Sequence, residues 1–181
     1  MKTILLSIFG VIVAYVAYVV FYTGVLKVVK IEKVESGPEF HLVYKVHTGA
    51  YHEIDRTITQ VEDWLAAQNI GCATSFGHYL DDAESVAEER LQSHGGCVLS
   101  QAFTSPNDQF NDQFLYKKIE PQPYVKATFL GSPAFGPLKV YPKVLAYVES
   151  NGLKRNPTIL EVYVGTEGGG METTYYFPLS K

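Results

Sequence analysis

The chain has 181 residues, of which 46% are hydrophobic and 13% aromatic, enough for one domain with a substantial core. It carries 15 Lys and Arg against 19 Asp and Glu, a net charge of −4. Residues 1–30 hold three lysines and no acid, so the remainder has 15 − 3 = 12 basic against 19 acidic side chains, a balance of −7. Binding to a phosphate backbone depends on Lys and Arg. We therefore expect no nucleic-acid partner.

An uncharged apolar segment runs from Ile4 to Leu26 (residues 4–26), behind a tip of residues 1–3. About 20 apolar residues cross a bilayer as a helix, whereas the apolar part of a cleaved signal peptide is shorter. We therefore expect a retained transmembrane helix and a single-pass membrane protein. Three lysines follow the segment and one precedes it, which favours a soluble domain that faces the cytoplasm.

A polar linker, residues 27–39, leads to a domain over residues 40–181 in which one order of elements occurs twice. The first unit has a strand at 40–49, a helix marked by Ile54, Ile58, Val61 and Leu65, and strands at 72–80 and 95–103. The second has a strand at 124–131, a helix marked by Leu138, Tyr141, Leu145 and Val148, and strands at 158–165 and 173–179. Residues 104–118 link the units.

This repeat predicts an α+β fold. Two pseudo-symmetric strand-helix-strand-strand units should join antiparallel sheets around a central groove, preceded by one transmembrane helix. We expect Gly71 to cap the first helix of the domain and Pro142 to lie in the first turn of the second.

The sequence offers no ligand set for a metal. Its five histidines form no HExxH motif, and its two cysteines have no CxxC spacing. Cys72 and Cys97 lie on consecutive predicted strands whose hairpin register places Cys97 opposite Phe76. The sulfurs should then be too far apart for a disulfide. We predict two free cysteines, no metal and no cofactor.

Glu161 lies in ILEVYV, a predicted strand with apolar residues on both faces. Alternation places Leu160 and Val162 on one face, and Ile159, Glu161 and Tyr163 on the other. A buried carboxylate is costly unless it is paired, hydrogen-bonded or protonated. The spacing fits two alternatives equally: a buried functional carboxyl, or a surface acid on an exposed face.

Aromatic residues favour the buried alternative. Tyr79 has the equivalent place in the first unit, and other aromatic side chains are expected nearby. A carboxylate walled by aromatic rings suits a flat, lipophilic and preferably cationic ligand. Considered singly, Tyr51, Trp64 and Tyr141 are more typical of core packing than of ligand contact. The predicted ligand-binding residues are Glu161, Tyr163, Tyr51, Tyr79, Tyr175 and Trp64.

Four segments carry a resemblance to a known family: YKVHTGAYHEI, HYLDDAESVAEERLQSHGGCVL, VKATFLG and ILEVYVGTEGGGMETTYYFPL. Residues 40–181 resemble the GyrI-like small-molecule-binding domains, of the gyrase-inhibitor and BmrR effector-domain type. The last segment is the most specific, since the family's pocket glutamate has the place of Glu161 in its E-x-Y strand. With the apolar segment included, the chain is similar to membrane-anchored ER-phagy receptors that carry such a domain, without their disordered tail.

The resemblance implies a membrane-anchored domain that binds lipophilic, aromatic or cationic small molecules, with multidrug binding and xenobiotic protection as its role. Thr174 stands where the family has a second acid, which weakens the case for a dicationic ligand. Some members are similar to hydrolases of cyclopropane-bearing genotoxins. A hydrolase with Glu161 as its catalytic residue is therefore an alternative function, and a protein-interaction module is another.

Overall fold

Residues 2–100 and 113–180 are described by a computed structural model of the chain, and they form an α+β fold. The elements in chain order are α1 (Lys2–Thr23), β1 (Lys30–Val34), β2 (Phe40–Thr48), α2 (Ile54–Ala67), β3 (Ser75–Tyr79), β4 (Gln92–Leu99), β5 (Leu115–Ile119), β6 (Tyr124–Leu130), α3 (Gly136–Ser150), β7 (Ile159–Gly165) and β8 (Met171–Pro178). The predicted α+β class is confirmed.

The strands form one antiparallel sheet in the order β1-β6-β8-β7-β3-β4-β2-β5. The first unit is β2-α2-β3-β4 and the second is β6-α3-β7-β8. Their equivalent strands β3 and β7 pair at the centre of the sheet, where Gly77 lies opposite Glu161. Outward from this centre, β4 and then β2 follow on one side, and β8 and then β6 follow on the other. The predicted repeat is therefore confirmed, and its pseudo-twofold axis passes between β3 and β7.

The two outermost strands exchange between the units. β1 precedes the first unit but pairs with β6 of the second, and β5 precedes the second unit but pairs with β2 of the first. Both strands lie in stretches that the sequence suggested were linkers. Their sequences, KIEKV and LYKKI, are charged, as is common for edge strands, and so lack a strong strand pattern. Residues 104–112 of the second predicted linker lie outside the described residues.

Both domain helices pack on one face of the sheet. α2 buries Val61 and Leu65 against Val43 of β2, as its apolar spacing predicted. α3 packs on β6 and β8 through a stripe of valines instead of the predicted leucines: Val140, Val144 and Val148. Leu138 is 70% exposed and Leu145 is 46% exposed, so that part of the predicted stripe is wrong.

The helix ends differ from the predictions in both units. α3 begins earlier than expected, with Pro137 in its first turn, and Pro142 is inside the helix. The N–H that Pro142 lacks would have paired with the carbonyl of Leu138, which lies on the solvent side. At the end of α2, Asn69 adopts the left-handed conformation (φ 60°) that was expected of Gly71.

The prediction of two free cysteines is wrong, because Cys72 and Cys97 form a disulfide with their Cα atoms 5.7 Å apart. Cys97 lies opposite Ser75, one residue from the expected partner. β3 begins only at Ser75, so Cys72 is not held in an extended strand. Its sulfur can therefore reach across to β4.

The predicted membrane span is also corrected. In the part of the chain that the structure describes, no helix combines the length and the apolarity that crossing a membrane requires. α1 ends at Thr23, before the end of the predicted span. The predicted localisation, a single-pass membrane protein whose domain faces the cytoplasm, depended on that span and is wrong with it.

Candidate functional site

A cavity of about 680 Å³ opens on the helix-covered face of the sheet, above the central strands β3 and β7. α2 packs mainly on β2 and β4 and touches β3, and α3 packs on β6, so a gap between the two helices is left above the middle of the sheet. The resulting groove corresponds to the one that the repeat predicted. Its lining residues are Tyr51, His52, Ile54, Asp55, Ile58, Thr59, Ser75, Tyr79, Ser132, Pro133, Ala134, Pro137, Tyr141, Glu161, Tyr163 and Met171.

Glu161 lies at the base of this groove and is only 2% exposed. Its Oε1 accepts a hydrogen bond from the Tyr141 hydroxyl at 2.6 Å, and its Oε2 accepts one from the Tyr163 hydroxyl at 3.0 Å. These two donors offset part of the cost of removing the carboxyl from water. Of the two alternatives that the sequence left open, the structure therefore has the buried carboxyl.

Burial raises the pKa of Glu161 from 4.5 to about 7, although the hydrogen bonds from Tyr141 and Tyr163 act in the opposite direction. Burial dominates because an ionised carboxylate loses its hydration there. The carboxyl therefore exists in both its neutral and its charged form near neutral pH. A positive charge placed in the groove would favour the charged form.

Tyrosine side chains form the wall beside Glu161. The hydroxyls of Tyr79 and Tyr163 are 3.0 Å apart, and the ring of Tyr51 lies 4.7 Å from that of Tyr79 at an angle of 60°. The Tyr51 hydroxyl donates to the carbonyl of Asp81 at 2.9 Å and accepts from its N–H at 3.0 Å, which fixes the ring. Burial raises the pKa of Tyr79 and of Tyr163, so both hydroxyls stay neutral near pH 7.

Gly77 makes room for this arrangement. A Cβ atom at this position would lie 2.8 Å from the Tyr79 hydroxyl and 3.1 Å from the Tyr163 hydroxyl. Because Gly77 is the residue paired with Glu161, its missing side chain leaves space for both phenols beside the carboxyl. A larger residue here would displace the two hydroxyls.

The charge of the groove is negative. Asp55, in the first turn of α2, lines the cavity together with Glu161. Among the described residues that line the cavity there is no lysine or arginine. Asp55 is exposed and contributes a second carboxylate near the entrance. The electrostatic potential therefore favours a cation over an anion in the groove.

The structure brings together most, though not all, of the predicted site residues. Tyr51, Tyr79, Glu161 and Tyr163 all line the groove. Tyr175 lies opposite Glu161 in the sheet but is fully buried behind the cavity. Trp64 is not in the groove: its ring stacks on Phe114 at 4.7 Å, in the cluster beneath the other side of α2.

Several lining residues of the groove were not predicted as site residues, among them Tyr141, Asp55 and Met171. Tyr141 was expected in the core but donates the shortest hydrogen bond to Glu161. It lies one turn after Pro137 on α3 and packs against the cluster that contains the valine stripe. Its place on the sheet-facing side of the helix was predicted, but the hydrogen bond from its hydroxyl to Glu161 was not. Asp55 and Met171 also line the cavity. Asp55 lies in the first turn of α2 and Met171 follows a glycine loop, and neither position has a sequence pattern that indicates a binding residue.

One cluster of described residues has the spacing of metal ligands: Glu62, Cys72 and Cys97. Both sulfurs are joined in the disulfide, whereas a cysteine binds zinc as a thiolate. The cluster as it stands is therefore not suited to hold a metal ion.

No family model and no curated protein matches this sequence. Solved structures do match it. The C-terminal domain of EcmrR is 16% identical with a TM-score of 0.62, over 85% of this chain and 98% of that one. EcmrR in its complex with DNA is 16% identical with a TM-score of 0.64, over 96% of this chain and 65% of that one. A hydrolase from Listeria innocua is 12% identical with a TM-score of 0.58, over 83% and 92%.

At these identities the likeness concerns the fold. The matches extend over most of this chain and nearly all of the EcmrR domain and of the hydrolase. They show that the α+β fold of this chain also occurs in the C-terminal domain of EcmrR and in a protein described as a hydrolase.

Proposed function

We propose that this domain binds lipophilic aromatic cations in the groove above Glu161, and that this binding serves protection against xenobiotics. The observation that carries the proposal is a fully buried carboxyl at the base of a cavity with tyrosine walls. Pockets for drug-sized ligands measure about 300–1,000 Å³ and are mostly apolar, with a few polar groups that fix the ligand. This cavity has that size and that composition.

A cation gains from two features of the groove. The ionised Glu161 supplies a counter-charge in a site of low dielectric, where the attraction is stronger than in water. The faces of Tyr51 and Tyr79 supply ring contacts that favour a positive charge. A flat aromatic cation can use both, whereas a neutral analogue can use only the ring contacts.

One structural neighbour was solved in complex with DNA. The part of this chain after residue 30 has a balance of −7, so we do not propose a nucleic acid as its partner. A small molecule remains the partner that the groove favours.

The test compares N-methylacridinium, a permanent cation, with neutral acridine at pH 8 by fluorescence titration. Glu161→Gln should weaken cation binding by about ten- to hundredfold, as expected when a hydrogen bond to a charged group is lost. Acridine binding should change much less. Glu149→Gln, a surface acid on α3, is the matched control and should behave as wild type. Equal cation affinities in wild type and Glu161→Gln would refute the proposal.

A hydrolase is the second candidate, and the pKa of Glu161 favours it. A carboxyl with a pKa of about 7 is suited to act as a general base that activates water. In that case Glu161→Gln should abolish turnover of an electrophilic cyclopropane substrate while its binding persists. Binding of the cation without any turnover would leave only the first proposal.

A further inference from the structure

A second cavity, of about 420 Å³, lies on the opposite side of the sheet from Glu161. His78 of β3 and Leu160 of β7 line it and pair with each other across the two strands. Neighbouring residues of a strand point to opposite faces, so both side chains face away from the Glu161 groove. The two cavities are therefore separate sites on one sheet.

His78 is the most unusual residue of this second cavity. It is 7% exposed, and neither ring nitrogen has a hydrogen-bond partner among the described residues, although only Nδ1 is fully shielded. Burial lowers the pKa of His78 to about 3, so its ring is neutral and carries one N–H. Because Nδ1 is shielded, Nε2 is the ring nitrogen that a ligand can reach. With its proton on Nε2, the neutral ring would donate a hydrogen bond to a ligand oxygen.

The charge of this cavity differs from that of the groove. Lys117 and Lys118 both line it, against one acid, Glu120, in a chain of net charge −4. Lys118 is neutralised by Glu39 at 2.8 Å and by Glu120 at 2.9 Å. Within the described residues, Lys117 has no such ion pair. It is close enough for its charge to help lower the pKa of His78.

From this juxtaposition we propose that the second cavity binds a small organic acid. Its oxyanion would contact Lys117 and accept a hydrogen bond from His78. Its apolar body would pack against the side chains of Leu80, Ile119 and Leu160, which line the same cavity. A metal ion is disfavoured here, because Lys117 would repel it. The proposal does not depend on the function proposed for the Glu161 groove.

The test uses para-(trifluoromethyl)benzoate and its neutral amide as probes, titrated into the full chain and followed by fluorine NMR. The acid should bind at least about tenfold more tightly than the amide. His78→Phe keeps a buried ring but removes the donor, and should weaken binding of the acid by about tenfold. Lys117→Gln changes an exposed residue and should weaken it by about threefold. Lys143→Gln, an exposed lysine on α3, is the matched control and should have no effect.

Glu161→Gln separates the two sites. If the acid binds where we propose, this substitution leaves its affinity unchanged while it weakens binding of N-methylacridinium. Equal affinity for the acid and the amide would overturn the proposal. An affinity for the acid that is unchanged in both Lys117→Gln and His78→Phe would also overturn it. Both variants should fold, because Lys117 is exposed and His78→Phe retains an aromatic ring.

Discussion

The affinity of the groove for a cation should depend on pH through Glu161. Its pKa in the free protein is about 7, and a cation binds the ionised form. The apparent dissociation constant is then the intrinsic one multiplied by 1 + 10^(pKa − pH). From pH 8 to pH 6 this factor rises from about 1 to about 11, so binding should weaken by roughly tenfold. A shift of one pKa unit corresponds to about 1.4 kcal/mol, so the effect is readily measured.

The assay is a fluorescence titration with N-methylacridinium at pH 6, 7 and 8 and constant ionic strength. The charge of this probe does not titrate, so the profile reports the protein. Glu161→Gln should bind weakly and show no slope, and Glu149→Gln should reproduce the wild-type profile. His52 also lines the groove, so His52→Gln is included as a control and should retain the slope. A flat wild-type profile, or a slope that persists in Glu161→Gln, would refute the reasoning.

Three further predictions concern stability and the hydrogen bonds of the site. Raising the pKa of Glu161 from 4.5 to about 7 costs the folded state about 3 kcal/mol, a cost absent below pH 4.5 and complete above pH 7. The free energy of unfolding of Glu161→Gln in urea, relative to that of wild type, should therefore increase from pH 4.5 to pH 7. A difference that does not change with pH would contradict this. The disulfide closes a separation of 25 residues, so reductant should lower wild-type stability by about 3.5 kcal/mol and leave Cys72→Ala/Cys97→Ala unaffected. Free thiols titrated in unfolded wild type without reductant would argue against the disulfide. Tyr141→Phe removes a hydrogen bond that lowers the pKa of Glu161, so the pH profile of cation binding should move to higher pH, whereas Tyr147→Phe on the same helix should not move it.

The sequence was most informative at the centre of the sheet. Alternation in ILEVYV placed Glu161 and Tyr163 on one face, and the repeat placed Tyr79 on the equivalent strand. The structure brings these three residues together, with the hydroxyls of Tyr79 and Tyr163 3.0 Å apart. Such local patterns are reliable here because side chains alternate between the two faces of a strand wherever it lies in the sheet.

The errors arose where long-range contacts decide the structure. Tyr141 was predicted on the sheet-facing side of α3, where it lies, but the sequence does not show that its hydroxyl reaches Glu161 on β7. The edge strands β1 and β5 are defined by pairing with the other unit, which the sequence of either segment does not reveal. The disulfide was missed because the predicted strand began at Cys72, whereas β3 begins three residues later, at Ser75.

The central claim is that a cation binds in the groove with Glu161 as its counter-charge. The most direct test is a crystal structure of the protein with N-methylacridinium bound at pH 8. We predict the ligand between α2 and α3, its ring nitrogen facing the Glu161 carboxylate and its flat face against Tyr51 or Tyr79. A ligand that binds only elsewhere on the molecule, with the groove unoccupied and Glu161 still hydrogen-bonded to Tyr141 and Tyr163, would contradict the claim.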